Sequence, residues 1–173
     1  PTGCACKLLP RPHSTLHKLL HLPLGQKNNF ALKEMTITTR TNAQQELANI
    51  KLLVVDEKSF LGSYYMYVLD ARLKEIFTNE KPFGGVSIVL MGDYAQLTPI
   101  GDHPVFITPQ DSTNPRVRRK TWTLYQIKGH NSYKDNFKDV LSLTTSMRQN
   151  SDLRFGEILK NMDQGELSAE DRQ

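Results

Sequence analysis

Leu52-Leu53-Val54-Val55-Asp56-Glu57 is an apolar run that stops abruptly on two carboxylates. With Ile50 and Lys51 ahead of it, the run Ile50–Val55 has the character of a strand covered on both faces of a parallel sheet. Open α/β sheets keep their ligand crevice outside the carboxyl ends of their strands, and Asp56 and Glu57 stand at that edge. This is the Walker B arrangement, in which the Asp suits Mg2+ and the Glu suits a reacting water. An ordinary strand ending in a polar turn has the same pattern, so this run alone leaves both readings open.

A second apolar run, Val86–Met91, delivers Gly92-Asp93-Tyr94-Ala95-Gln96 to the same edge. Gly92 permits a tight turn, and the Gln96 amide can sense a terminal phosphate and position water. Between the runs, Tyr65, Leu69, Leu73 and Phe77 recur at every fourth position, while Asp70 and Lys74 pair on another face. That spacing predicts a helix over 63–77, and strand, helix, strand over this length is a βαβ unit. A third run, Val140–Thr144, predicts a further strand. Phe155, Ile158, Leu159 and Met162 predict a helix beyond it, ended near Gly165.

Residues 107–136 contain Pro109, Pro115, Gly129 and many polar side chains, and read as a loop or insertion with at most a short strand around Trp122–Ile127. Pro1-Thr2-Gly3 and the small residues after it predict a strand end turning into a helix. The sustained alternation predicts an α/β fold, a parallel sheet flanked by helices.

At 173 residues there is room for about one domain, so one core is expected over 1–173. The 38% apolar and 23% charged composition argues for a folded chain rather than a disordered one. A net charge of +4 and a pI of about 9.1 fit a polyanionic partner without requiring one. No apolar run approaches the roughly 20 residues of a membrane span, so no membrane partner is expected. Cys4 and Cys6 are too close for a disulfide staple and too few for a zinc site. Arg116, Arg118, Arg119 and Lys120 could track a phosphate backbone with Trp122 and Tyr125 for stacking, although a solvated loop has the same composition.

Four ordered segments carry a resemblance. PTGCAC (1–6) with STLHKLLHLP (14–23), LLVVDEKSFLG (52–62), PFGGVSIVLMGDYAQLTPIGD (82–102) and LTTSMRQNSD (143–152) together resemble the Pif family of superfamily-one DNA helicases over nearly the whole chain. The closing stretch resembles its transposon-associated eukaryotic branch.

The resemblance implies a P-loop NTPase fold of the RecA-like kind and an ATP-dependent DNA helicase that moves 5′ to 3′ on single-stranded DNA and unwinds duplex junctions. Repair, recombination and telomere maintenance are its implied settings. It assigns Asp56 to Mg2+, Glu57 to the catalytic water, Gln96 to the γ-phosphate region and Arg148 to a phosphate-facing guanidinium. Asp56, Gln96 and Arg148 would thus contact ATP. Thr2, Gly3, Thr15 and His17 become single-strand contacts through backbone phosphates, and Phe83-Gly84-Gly85 takes a structural role. A monomeric motor in the nucleus, with the mitochondrion as the alternative, is implied as well.

No GxxxxGK[ST] stretch occurs among the 173 residues, and residue 1 is Pro. The expectation is therefore of a first motor domain truncated at both ends, with its phosphate loop upstream and a second motor domain downstream, inactive in isolation. Lys58, Phe60 and Thr98 depart from the family, which usually has an apolar residue, Met and Pro there. A catalytically silent single-strand-binding remnant is the competing reading. A two-metal nuclease on Asp56, Glu57 and Asp93 leaves Gln96 and Arg148 without a role.

Overall fold

The two apolar runs pair as parallel strands, β1 (Leu52–Val55) and β2 (Ser87–Leu90), in the register Leu52↔Ser87 to Val55↔Leu90. The structure, a computed structural model, describes residues 14–22, 32–109, 122–145, 153–166 and 168. The ladder continues past the strands, since the Met91 amide donates to the Val55 carbonyl at 2.8 Å and the Lys58 amide to the Met91 carbonyl at 2.8 Å. Leu53, Val55, Ile88 and Leu90 face the core, whereas Leu52, Val54 and Val89 are exposed. Among the described residues the sheet is thus packed on one face, where cover on both was expected. Successive side chains of a strand point to opposite faces, and the inward ones join Met66, Leu69 and Leu73 of the connecting helix in one core cluster.

Before the strands come α1 (Leu16–Leu19), a single turn capped by Thr15, and α2 (Ile37–Glu46), capped by the Thr36 hydroxyl. The connecting helix is α3, Ser63–Phe77, with the bounds its spacing predicts. Its buried face centres on Met66, Leu69, Leu73 and Ile76, each contributing about 1.5–3 kcal/mol by leaving water, with Tyr65 and Phe77 half-buried at its margins. The expected Asp70–Lys74 pair forms at 2.7 Å. Asp70 also accepts the Phe83 amide at 2.7 Å, tying α3 to the turn Pro82–Gly85 that enters β2. In that turn, a Cβ on Gly84 (φ +65) would lie 2.5 Å from the Leu73 carbonyl oxygen, so the Phe83-Gly84-Gly85 motif is structural, as expected.

The reading of 107–136 as loop is corrected. Residues 110–121 lie outside the described residues, but Leu124–Asn136 is a helix, α4, and no strand forms at Trp122–Ile127. The Thr123 hydroxyl accepts the Gln126 amide at 3.2 Å and Gln126 Oε1 accepts the Thr123 amide at 2.9 Å, a reciprocal capping box. Trp122 stacks on His103 at 4.2 Å and Tyr125 packs on Tyr67 at 5.0 Å, so both rings are used inside the fold. The basic cluster 116–120 lies outside the described residues.

Asp102 joins the two long helices. Its buried carboxylate accepts the Tyr64 amide at 2.9 Å in the first turn of α3, the His103 amide at 2.8 Å and Gln126 Nε2 at 2.8 Å. A Cβ at Gly62 would sit 2.1 Å from that carboxylate, which makes room for it. Asp102→Ala strands these buried donors and is expected to cost about 2 kcal/mol, read as a lower denaturant midpoint.

Residues Asp139–Gln173 form a separate compact unit. It contains α5 (Leu153–Gln164), matching the predicted helix. Gly165 at φ +75 closes it, with the Glu166 amide donating to the Asn161 carbonyl at 2.8 Å. The described residues of Val140–Thr144 form no strand, contrary to expectation, and Val140, Leu141 and Leu143 are exposed. A strand exists only where a neighbour takes its backbone hydrogen bonds, and none of the described residues does so here.

Candidate active site

At the carboxyl edge of the sheet, the loops after β1 and β2 lie against each other. Val55 is buried and Asp56 half-buried, and Asp56 Oδ1 accepts the Glu57 amide at 2.8 Å. Glu57 adopts the left-handed conformation (φ 55, ψ 50), which costs a residue with a Cβ roughly 1–2 kcal/mol. The chain then enters a 3-10 turn, Lys58–Phe60, in which the Phe60 amide donates to the Glu57 carbonyl at 3.1 Å.

Gly92 (φ +125) is where the second loop touches the first. A Cβ there would stand 2.9 Å from the Lys58 nitrogen and 3.3 Å from the Glu57 Cα. The glycine therefore serves close approach as well as the turn anticipated from sequence. Asp93 Oδ1 accepts the Ala95 amide at 3.0 Å, shaping the loop that carries Gln96 on an exposed position.

Lys58 places its ammonium 4.4 Å from the centre of the Tyr94 ring. The Tyr94 hydroxyl donates to that of Tyr133 at 3.2 Å, and burial, then this bond, push the Tyr94 phenol up. Lys58, a departure from the family pattern, thus makes a cation–π link between the two motif loops.

A cleft of about 290 Å3 opens beside Asp56 and Glu57, with His17, Tyr65, Leu16 and Phe60 among its walls. His17 Nε2 is 3.1 Å from the Tyr65 hydroxyl, their rings tilted at 55°. Burial, reinforced by the charge of Asp102, pushes the Tyr65 phenol up. The Thr15 hydroxyl accepts the Lys18 amide at 3.3 Å and caps α1. Thr2, Gly3 and Arg148 lie outside the described residues.

Asp56, Glu57 and Gln96 lie on the two edge loops where their motifs predict them, whereas the meeting of His17, Glu57 and Tyr65 at one cleft is not predicted by the sequence. The signal for Tyr65 was its place in the first turn of the helix after Glu57. Its partner could come only from tertiary structure.

Among the described residues no three His, Cys, Asp or Glu side chains cluster as a metal site. Asp56, held at the edge by the Glu57 amide, fits Mg2+, which keeps several waters and phosphate oxygens and needs one or two carboxylates.

The parallel strand pair and its connecting helix have an α/β fold of the RecA-like kind, which solved Pif1 helicases share. A family model described as PIF1-like helicase matches residues 1–173, and the chain belongs to that family. It is 28% identical over 156 residues to the ATP-dependent DNA helicase PIF1 of Saccharomyces cerevisiae, covering 90% of this chain and 16% of that protein. With the Candida albicans ATP-dependent DNA helicase PIF1 it shares 27% over 154 residues, again 16% of the longer protein. The chain therefore spans about one-sixth of the length of these relatives. Among solved structures, Bacteroides Pif1 bound to single-stranded DNA aligns with a TM-score of 0.67 at 22% identity, covering 92% of this chain and 35% of that one. The Bacteroides Pif1 helicase in complex with ADP-AlF3 and single-stranded DNA aligns at 0.66 and 21%, covering 92% and 34%.

Proposed function

We propose that these residues form part of the motor of an ATP-dependent DNA helicase, which couples ATP hydrolysis to 5′-to-3′ movement on single-stranded DNA and to duplex unwinding. The observation that carries the reading is the seating of Gly92 on Glu57, in a chain matched by the helicase family along its full length. That contact brings the backbone of Glu57, read here as the water-activating residue, against the loop that carries Gln96.

Asp56 is the carboxylate that would hold Mg2+. Bound there with ATP, the ion would offset charge on the phosphate oxygens. Glu57 orients and deprotonates the attacking water, Gln96 hydrogen-bonds in the γ-phosphate region, and Arg148 presents a guanidinium to the charge that develops there. Thr2, Gly3, Thr15 and His17 hold single-stranded DNA by its backbone, a mode that positions without reading bases.

In the full-length natural chain, ATP hydrolysis should rise with added oligothymidylate and vanish when EDTA removes Mg2+. Binding of oligothymidylate that weakens with salt but is never accompanied by hydrolysis would instead mark a silent DNA-binding relative.

A further inference from the structure

One cleft is lined both by His17, from the segment assigned to single-stranded DNA, and by Asp56 and Glu57 of the hydrolytic edge. The His17–Tyr65 hydrogen bond of 3.1 Å crosses from α1 to α3. α1 is a single turn of four residues, too short to be stable alone, so its contacts set its position. A ligand that pulls on it has little intrinsic stiffness to overcome. Tyr65 stands in the first turn of α3, just after the 3-10 turn whose Phe60 amide is bonded to the Glu57 carbonyl. Glu57 itself is left-handed, a conformation that persists only while its surroundings hold it there.

From this geometry we infer that Tyr65 is a positioning residue: through its bond to His17, it couples occupation of the single-strand segment to the backbone state of Glu57. The inference rests on the helicase reading above. Coupling of two sites requires an element with two arrangements that both sites bias, and the left-handed Glu57 turn would be that element here. A strand engaging His17 strengthens or releases the hold on Tyr65. Because the Tyr64 amide is fixed on Asp102, the change passes through the Tyr65 side chain to the cleft wall it shares with Glu57, which is brought toward or away from the geometry that aligns water. Tyr65 touches neither reacting phosphate nor DNA in this scheme.

The test is ATP turnover by the full-length natural chain with and without oligothymidylate, for the unmodified protein and Tyr65→Phe. The substitution removes one hydroxyl and keeps the ring packed on Tyr64. The ratio of stimulated to unstimulated turnover should fall about three- to ten-fold, the range for one lost hydrogen bond, with the Kd for oligothymidylate unchanged. His17→Gln, whose amide can still meet the Tyr65 hydroxyl, should keep more of the ratio than His17→Ala. Tyr65→Phe should add nothing on top of His17→Ala. A merely structural Tyr65 would lower both rates and the melting temperature together and leave the ratio intact, which overturns the inference. Absence of any stimulation in the unmodified chain overturns the helicase reading and the inference with it. Stimulation in the unmodified chain with an unaltered ratio in Tyr65→Phe overturns the inference alone.

Discussion

Glu57→Gln in the full-length chain is expected to lower ATP turnover by about 10^2- to 10^4-fold, the usual contribution of a positioned general base, with nucleotide affinity preserved. The amide has the shape of the carboxylate and can still accept a hydrogen bond from water, but it cannot take the proton. Glu57 follows the β1 carboxyl end, half-buried, with its backbone clamped between the Asp56 carboxylate and the Gly92 loop. Substitution at the side-chain terminus leaves those contacts in place, so binding and turnover separate cleanly. Under the proposed helicase reading, Arg148→Ala should act in the same direction, because its guanidinium would serve charge that grows on the way to the transition state. Steady-state kcat, set beside the affinity for a fluorescent ATP analogue, checks both. Undiminished hydrolysis in Glu57→Gln would place the base elsewhere.

The second large effect is one of stability. Gly129 lies where α4 crosses α3, and a Cβ there would stand 1.7 Å from the Ser63 carbonyl oxygen and 2.8 Å from the Tyr67 nitrogen. Both obstacles are helix backbone, so no side chain can swing aside. Gly129→Ala must instead push the helices apart. That would loosen the Tyr67–Tyr125 contact and the bond from Gln126 to Asp102. A cost of about 3 kcal/mol is expected, at the upper end of ordinary overpacking. For a chain of this size that is a fall in melting temperature of roughly 10 °C. Thermal denaturation followed by circular dichroism reads it directly. An alanine in an exposed helix would stabilise by about 1 kcal/mol relative to glycine, so even the sign of the change discriminates.

What could be read in the chain followed from interactions close in sequence. The spacing of Leu69 and Leu73 and the Asp70–Lys74 pair are properties of one helix, and they placed α3 at its observed bounds. The runs before Asp56 and Gly92 are likewise local, and they marked both strands and the edge where the candidate site stands. The helix α4 was equally local in its capping box, Thr123 with Gln126, but Pro109, Pro115 and Gly129 drew the reading toward loop. Gly129 is not a breaker at all, since its missing side chain admits a second helix. Val140–Thr144 failed for the opposite reason, because β-rich composition cannot supply the neighbouring strand on which a ladder depends.

The sequence by itself determined the βαβ unit, the carboxylates at its edge and the family to which the chain belongs, because periodicity and motif order are written along the backbone. Tertiary structure alone decided that Gly92 rests on Glu57, that Asp102 joins the starts of α3 and α4, and that His17 reaches Tyr65 across the cleft. Each is a contact between residues distant in the chain, formed by packing and directional hydrogen bonding, and no spacing rule encodes it.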